Sequence, residues 1–425
     1  MVEQLNHAPK DRTSVELFAG GGGLAMAVAS AGFRPLLFNE FNKRACETLE
    51  ANKAHPYKVG TTPPIPEPGE NPPLLVGDVT EVDFKYLKGR VDVLAGGPPC
   101  QPFSLGGVAK GDEDKRNGFP HMFRAIRQME PKAVVCENVR GLLRPSFMPY
   151  FEYIKRELAL PFEERTEGSG WQDHDEVLRH LLETATVDDH ERYDVRHYPV
   201  NAANYGVPQI RNRVIMIAFR RDLGVNWDRF EQLVRPRFSE ESLHDDMRNG
   251  SYWERHPDVP RRVREQAMAR ISQHSLPLLD RERLRPWRTL RDAIKGIDGQ
   301  RPLPPVEKLD RNEYHLGGFA DHIGWPDARI YPGHTPNELD RPAKTVKAGV
   351  HGVPGGESVM LLDDGEHRYM TVRETARVMT FPDDWVLVGP RGEKMRQLGN
   401  AVPVLLGQVF ANAVATVLDE AEAST

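Results

Sequence analysis

The most constraining feature of this sequence is a run of four glycines, Gly20–Gly23, between an apolar segment and a stretch of small residues. Ser14–Phe18 reads as a strand and Leu24–Ser30 as a helix, so the glycines form the turn that joins them. Glycine permits positive φ and lets a ligand approach the backbone, and the helix start offers unpaired N–H groups. Short apolar runs recur at Arg34–Asn39, Leu74–Gly77, Val91–Ala95, Ala133–Cys136 and Val214–Phe219, with helical stretches among the earlier ones. This alternation predicts an α/β domain with a mostly parallel sheet, whose strand ends are where such sheets hold ligands.

Other segments depart from the pattern. Residues 60–73 hold six prolines in 14 positions and read as a surface loop. The polar stretches Glu163–Asp175 and Asp188–Arg192 read as an insertion. From Leu223 to Arg341 the alternation gives way to arginine, tryptophan and proline, and helical signals return at Thr371–Met379 and after Pro403. The expected organisation is one α/β domain interrupted by a smaller irregular one.

Composition removes several classes. A net charge of −6 argues against indiscriminate coating of nucleic acid, while leaving room for a local basic face. Cys46, Cys100 and Cys136 form no Cys-x-x-Cys pair, so neither a disulfide framework nor a zinc site is expected, and no metal. The longest apolar run, Val402–Leu418, is broken by Gln408 and Asn412 and reads as a buried helix, since a membrane span needs ~18 apolar residues. A cytoplasmic location is the expectation.

The chemistry-bearing residues sit at the predicted strand ends. Glu40 closes the second strand, 20 residues after Gly20, the spacing at which a carboxylate accepts ribose hydroxyls. Phe41 beside it is either a stacking platform for a base or a core aromatic, and Asp78 either an acceptor for an adenine amino group or a turn residue. Gly96-Gly97-Pro98-Pro99-Cys100-Gln101 sets a cysteine among rigid neighbours, which suits a presented nucleophile better than a core thiol. In Glu137-Asn138-Val139 a carboxylate directly follows an apolar strand, where partial desolvation suits a general acid. In Gln209-Ile210-Arg211-Asn212-Arg213, extended backbone would put the three donors Gln209, Arg211 and Arg213 on one side.

Taken in order, these segments resemble the DNA (cytosine-5) methyltransferases. The family's landmarks Phe-x-Gly-x-Gly-Gly, Pro-Cys-Gln, Glu-Asn-Val, Gln-x-Arg-x-Arg and Gly-Asn-x-Val appear at Phe18–Gly23, Pro99–Gln101, Glu137–Val139, Gln209–Arg213 and Gly399–Val402. Phe41 stands where the family commonly has tryptophan, and Ala401 replaces a frequent serine. The resemblance implies a Rossmann-like S-adenosylmethionine-dependent methyltransferase domain. It would comprise residues 1–222 and 341–425, with a target-recognition domain at 223–340. It implies that Cys100 adds to carbon 6 of a flipped-out cytosine, Glu137 engages ring nitrogen 3, and Arg211 and Arg213 hold the base. S-adenosyl-L-methionine would lie on Phe18, Ala19, Gly20, Gly22, Gly23 and Leu24, with Glu40, Phe41, Asp78, Val79 and Pro98 around it. Asn400, Ala401 and Val402 would close the pocket. Double-stranded DNA is the implied partner of a nucleoid-associated monomer, and the sequence leaves open whether a cognate restriction endonuclease acts separately beside it. Sequence recognition falls to 223–341, where ten arginines and no lysine lie between Arg255 and Arg291. RNA methylation is the alternative substrate. A nicotinamide-dependent oxidoreductase would leave the cysteine, glutamate and arginine motifs unexplained.

Overall fold

The computed structural model describes residues 11–99, 117–184, 187–271, 284–306, 309, 316–330, 335–348 and 358–424. They separate into two compact units. The first comprises residues up to Val200, Asn212–Val234 and those from Gly407 on. The second comprises Asn201–Arg211 and Arg235–Leu406.

The first unit is built on an eight-stranded sheet. Its strands are β1 (Arg12–Leu17), β2 (Phe33–Glu40), β3 (His55–Lys58), β4 (Pro73–Val76), β5 (Val93–Gly96), β6 (Ala133–Val139), β7 (Tyr193–Asn201) and β8 (Asn212–Arg220). They lie in the order β3-β4-β2-β1-β5-β6-β8-β7. All pairs from β3 to β6 are parallel, which aligns the carboxyl ends of six strands along one edge. The chain leaves β1 toward β2 on one side and returns to β5 on the other, so the edge above β1 is a topological switch point. Only β8 is shown reversed, antiparallel to β6.

These strands form because their side chains are buried on both faces, as the near-continuous apolar runs of β5 and β6 require. Val15, Leu17, Leu37, Leu94, Val134 and Cys136 share a core with Met122, Phe123 and Ile126 of helix α3 (Phe119–Met129). The other helices of this unit are α1 (Gly23–Ser30), α2 (Lys43–Ala51), α4 (Met148–Ala159), α5 (Trp171–Thr184) and α6 (Trp227–Leu233). Helix α3 carries proline in its first turn, where the missing N–H costs nothing. At the opposite edge of the sheet, buried Arg12 at the start of β1 pairs with Asp419 and Glu422, and Lys132 bridges Asp92 at 2.8 Å and Glu422 at 2.7 Å.

The second unit contains α7 (Glu240–Asn249), α8 (Ser251–Arg255), α9 (Arg261–Arg270), α10 (Leu290–Lys295), α11 (Val372–Val378) and α12 (Arg391–Asn400). Strands β9 (Phe238–Ser239) and β10 (Arg285–Pro286) form a short parallel pair. β11 (Asn337–Glu338), β12 (Val359–Leu361) and β13 (His367–Tyr369) form a second sheet. Leu243, Met247, Tyr252, Trp253, Val259 and Trp287 make its aromatic core. Helix α13 (Val404–Ala423) begins in this unit and continues into the first. The segment Arg391–Ala423 holds an 18-residue window apolar enough to span a membrane, but 72% of it is buried within the protein.

Two expectations change here. The segment 223–341 is not irregular: it carries α7–α10, with Ser239 capping α7 and a Thr289–Asp292 capping box starting α10. Five- to ten-residue helices are too short to display a periodic apolar stripe. The compact units also do not divide at 222/223 and 340/341. Residues 201–211 and 341–406 belong with 235–340, for reasons that lie in the motif Gln209–Arg213.

Candidate active site

The turn after β1 is held in a conformation that few sequences tolerate. Phe18 has φ +57°, Gly20 +54° and Gly22 +90°, all in the left-handed region. Among the described residues, a Cβ added at Gly20 would meet only the Phe18 carbonyl oxygen, at 3.9 Å, which leaves space over the turn. The turn is fixed from β2, with Ala19 N donating to the Asn39 carbonyl and Gly20 N to Glu40 Oε2 at 2.8 Å. The other oxygen of Glu40 accepts from the amides of Phe41 and Asn42. Glu40 thus braces the glycine turn, with three of its roughly four acceptor sites used by these amides and one left on Oε2. Phe41 next to it is 74% exposed, which removes the core-aromatic reading and leaves a bare ring beside the turn.

Asp78 follows β4 and accepts from Thr80 N, capping the short turn that contains buried Val79. That backbone hydrogen bond lowers its pKa, so the carboxylate stays ionised. Helix α1 starts at Gly23 with no acidic residue in its first turn, leaving its amides free of a competing carboxylate. Phe18, Ala19, Gly20, Gly22, Gly23, Leu24, Glu40, Phe41, Asp78, Val79 and Pro98 all belong to the first unit.

The chain leaving β5 is pinned as far as Pro99. Asn138 Nδ2 donates to the Pro98 carbonyl and Gly118 N to the Pro99 carbonyl. A side chain at Gly118 would come within 2.6 Å of Pro99 and 2.9 Å of Pro98, so only glycine allows this approach. Asn138 and Gly118 carry no expected role from the sequence; the position of Asn138 directly after Glu137 was the available signal. Cys100 lies outside the described residues. Of the other cysteines, Cys46 and Cys136 are buried, and burial with the nearby Glu40 charge pushes the Cys46 thiol up to about 12. Neither is a candidate nucleophile.

Glu137 and Arg213 meet because β8 is reversed. Val139 lies opposite Arg213 and Glu137 opposite Ile215, so Glu137 and Arg213 are diagonal neighbours on one face. A parallel strand would have begun at the other edge of the sheet. Arg213 Nε approaches Glu137 Oε1 to 2.8 Å. The approach falls off the N–H direction, so it is an ion pair rather than an aligned hydrogen bond.

Arg211 requires a correction. It is only 1% exposed, and its guanidinium donates to the carbonyls of Val346, Gly399 and Ala401, within the second unit. Gln209, fully buried, accepts from Val346 N and donates to Met379 Sδ. Ile210 N donates to the Ala343 carbonyl. Strict alternation would put Gln209, Arg211 and Arg213 together, but the structure divides them. The first two secure residues 343–401, and Arg213 alone joins Glu137. Asn400 ends α12, while Ala401 and Val402 are buried in the second unit.

The sequence matches the model of the C-5 cytosine-specific DNA methylases over residues 12–160 and 171–416. It is 30% identical to the Type II methyltransferase M.Eco47II of Escherichia coli, over 96% of this chain and 80% of the relative. It is 26% identical to the DNA (cytosine-5-)-methyltransferase M.ApeKI of Aeropyrum pernix, over 96% and 99%. Its fold is similar to that of a prophage-encoded E. coli chain assigned as a DNA modification methyltransferase (TM-score 0.56, 18% identity, 96% and 100% covered). The Dnmt2 methyltransferase of S. pombe is similar too (TM-score 0.50, 16% identity, 96% and 99% covered). This chain belongs to the C-5 cytosine-specific DNA methylases and is a DNA (cytosine-5-)-methyltransferase.

Proposed function

We propose that the protein transfers a methyl group from S-adenosyl-L-methionine to carbon 5 of a flipped-out cytosine in a specific duplex DNA sequence, through a covalent adduct with Cys100. The Glu137–Arg213 pair, formed where β6 and the reversed β8 meet, carries this reading. The open turn at Gly20, the braced Glu40 carboxylate and the bare Phe41 ring fit an adenosine-type ligand. Glu40 would hold its ribose, Phe41 and Asp78 its adenine, and the amides starting α1 its carboxylate. When bound, S-adenosylmethionine supplies an electrophilic methyl group.

Cytosine carbon 5 is too weak a nucleophile to take that methyl unaided. The Cys100 thiolate adds to carbon 6, while Glu137, oriented by Arg213, gives a proton or hydrogen bond to ring nitrogen 3. Electron density then collects at carbon 5, which would take the methyl group as its bond to the sulfonium sulfur breaks and leaves a neutral thioether. Loss of the carbon 5 proton re-forms the ring double bond and expels Cys100 as thiolate. A base inside a duplex cannot reach these groups, so it must flip out, at a cost of about a few kcal/mol. The relatives named Type II methyltransferases support a modification enzyme of the restriction-modification type.

The test is a duplex carrying 5-fluorocytosine in the methylated site. With fluorine in place of the departing proton, expulsion of the thiol is blocked and a protein–DNA adduct accumulates, mapping to the Cys100 peptide. Cys100→Ala should give neither adduct nor product, and Glu137→Gln should lose ~100- to 10,000-fold in rate while still binding DNA. An adduct at Cys46 or Cys136, or turnover by Cys100→Ala, would overturn the mechanism. Methylation of an RNA duplex but not of DNA would replace the substrate.

A further inference from the structure

The ten arginines between Arg255 and Arg291 are not equivalent in the second unit. Arg291 is buried and held by Asp340 and Asp363, a structural pairing. Arg264 donates to the carbonyls of Val259 and Pro257. Arg255, Arg261, Arg270 and Arg288 are paired with Asp246, Glu265, Glu338 and Asp298. Arg262 donates to the Asp363 carbonyl. Arg281 and Arg283 lie outside the described residues. Arg285 differs: it is exposed, and among the described residues no carboxylate or carbonyl engages its guanidinium. Its only recorded side-chain partner is the ring of Phe238, with the guanidinium carbon 5.9 Å from the centroid.

This seat is built rather than incidental. Arg285 N donates to the Arg237 carbonyl at 2.8 Å and Trp287 N to the Ser239 carbonyl at 3.0 Å, which fixes β10 beside β9. Phe238 presses against Gly206, where an added Cβ would come within 2.8 Å of two ring atoms. Asn204 accepts from Arg237 N and from Trp287 Nε1, tying both strands to the segment leading into Gln209. Arg285, Arg288, Phe238 and Trp287 line a cavity of about 280 Å³, together with Asp292 and Asp298.

We infer that Arg285 reads a guanine of the recognition sequence. The inference rests on the reading of the protein as a sequence-specific DNA methyltransferase. A planar guanidinium laid on an aromatic ring keeps its orientation while its N–H edge stays free, which suits bidentate bonding to guanine O6 and N7. Arg255 and Arg288 line the same cavity but are each paired with a carboxylate, which leaves Arg285 as its guanidinium with a free edge among the described residues.

The experiment uses the full-length protein and a randomised duplex library, scored by bisulfite sequencing, with the salt dependence of binding measured alongside. Arg285→Lys keeps the charge and loses the fork; Arg285→Gln loses both. Arg261→Ala, on the exposed face of α9, serves as control, and unchanged thermal unfolding shows that each variant is folded. Both Arg285 variants should lose roughly 5- to 150-fold of the discrimination for guanine at one position, with other positions and the control unaltered. A uniform loss across all sequences with a salt slope reduced by about one would mark a phosphate contact and overturn the inference. An unchanged preference would overturn it too. A wild-type protein that methylates the library without sequence preference would overturn the proposed specificity itself, a result separable from either.

Discussion

At the scale of single residues, the site is organised by acids whose surroundings differ. Glu137 has a cationic neighbour, and Glu40 has three backbone amides. Glu16, in the middle of β1, is 4% exposed with Oε2 unpartnered; burial and then the Glu40 charge raise its pKa well above the ordinary carboxylate value. In the folded protein Glu16 therefore holds a proton that the unfolded chain releases near pH 4.5. The folded state binds more protons, so this residue's contribution to stability is complete below that pH and declines as pH rises toward the folded pKa. Glu16→Gln should flatten the fall in stability above pH 4.5, without loss at neutral pH, in denaturant titrations from pH 4 to 8. A steeper fall in the variant would show that Glu16 is ionised. The sequence displayed the charged residues that matter, Glu40 and Glu137, because each stands at the end of an apolar run. It could not display that Arg211 points into protein and Arg213 toward Glu137. That depends on where the chain turns into β8.

At the scale of elements, β4, β5 and β6 were legible from their near-continuous apolar runs, and β1 and β2 from runs that end at the glycine turn and at Glu40. β3 and β7 were not: β3 is mostly exposed and β7 mixes polar and apolar residues without strict alternation. The short helices of the second unit escaped for want of length, and α5 was hidden in a segment read as a polar insertion. The glycine of Gly399-Asn400 was read as part of a motif, and the structure supplies its reason. A Cβ there would lie 2.4 Å from Ala348 N and 2.5 Å from the Lys347 carbonyl carbon, both backbone atoms that cannot swing aside. The same stretch of α12 gives Arg211 two of its carbonyl acceptors. Gly399→Ala should destabilise the protein by about 1–3 kcal/mol, seen as a lower midpoint in urea. An unchanged midpoint would show that residues 347–348 yield freely.

At the scale of the whole molecule, the sheet separates its tasks by edge. The carboxyl ends of the parallel strands bear the glycine turn, Glu40, Asp78 and Glu137, while the amino ends carry the network of Arg12, Asp92, Lys132, Asp419 and Glu422. Asp419→Asn with Glu422→Gln removes most of the compensation for buried Arg12. Stability should fall by about 1–3 kcal/mol with the rate per folded molecule preserved. A loss of rate without a loss of stability would mean that the amino-end network shapes the site. The sequence offered no sign of this network, since its members lie up to 410 positions apart. That separation has a consequence for synthesis. A nascent chain carries Arg12 without Asp419 and Glu422 until helix α13 has been made. Glu40, Glu137 and Arg213 are all synthesised before that network can close.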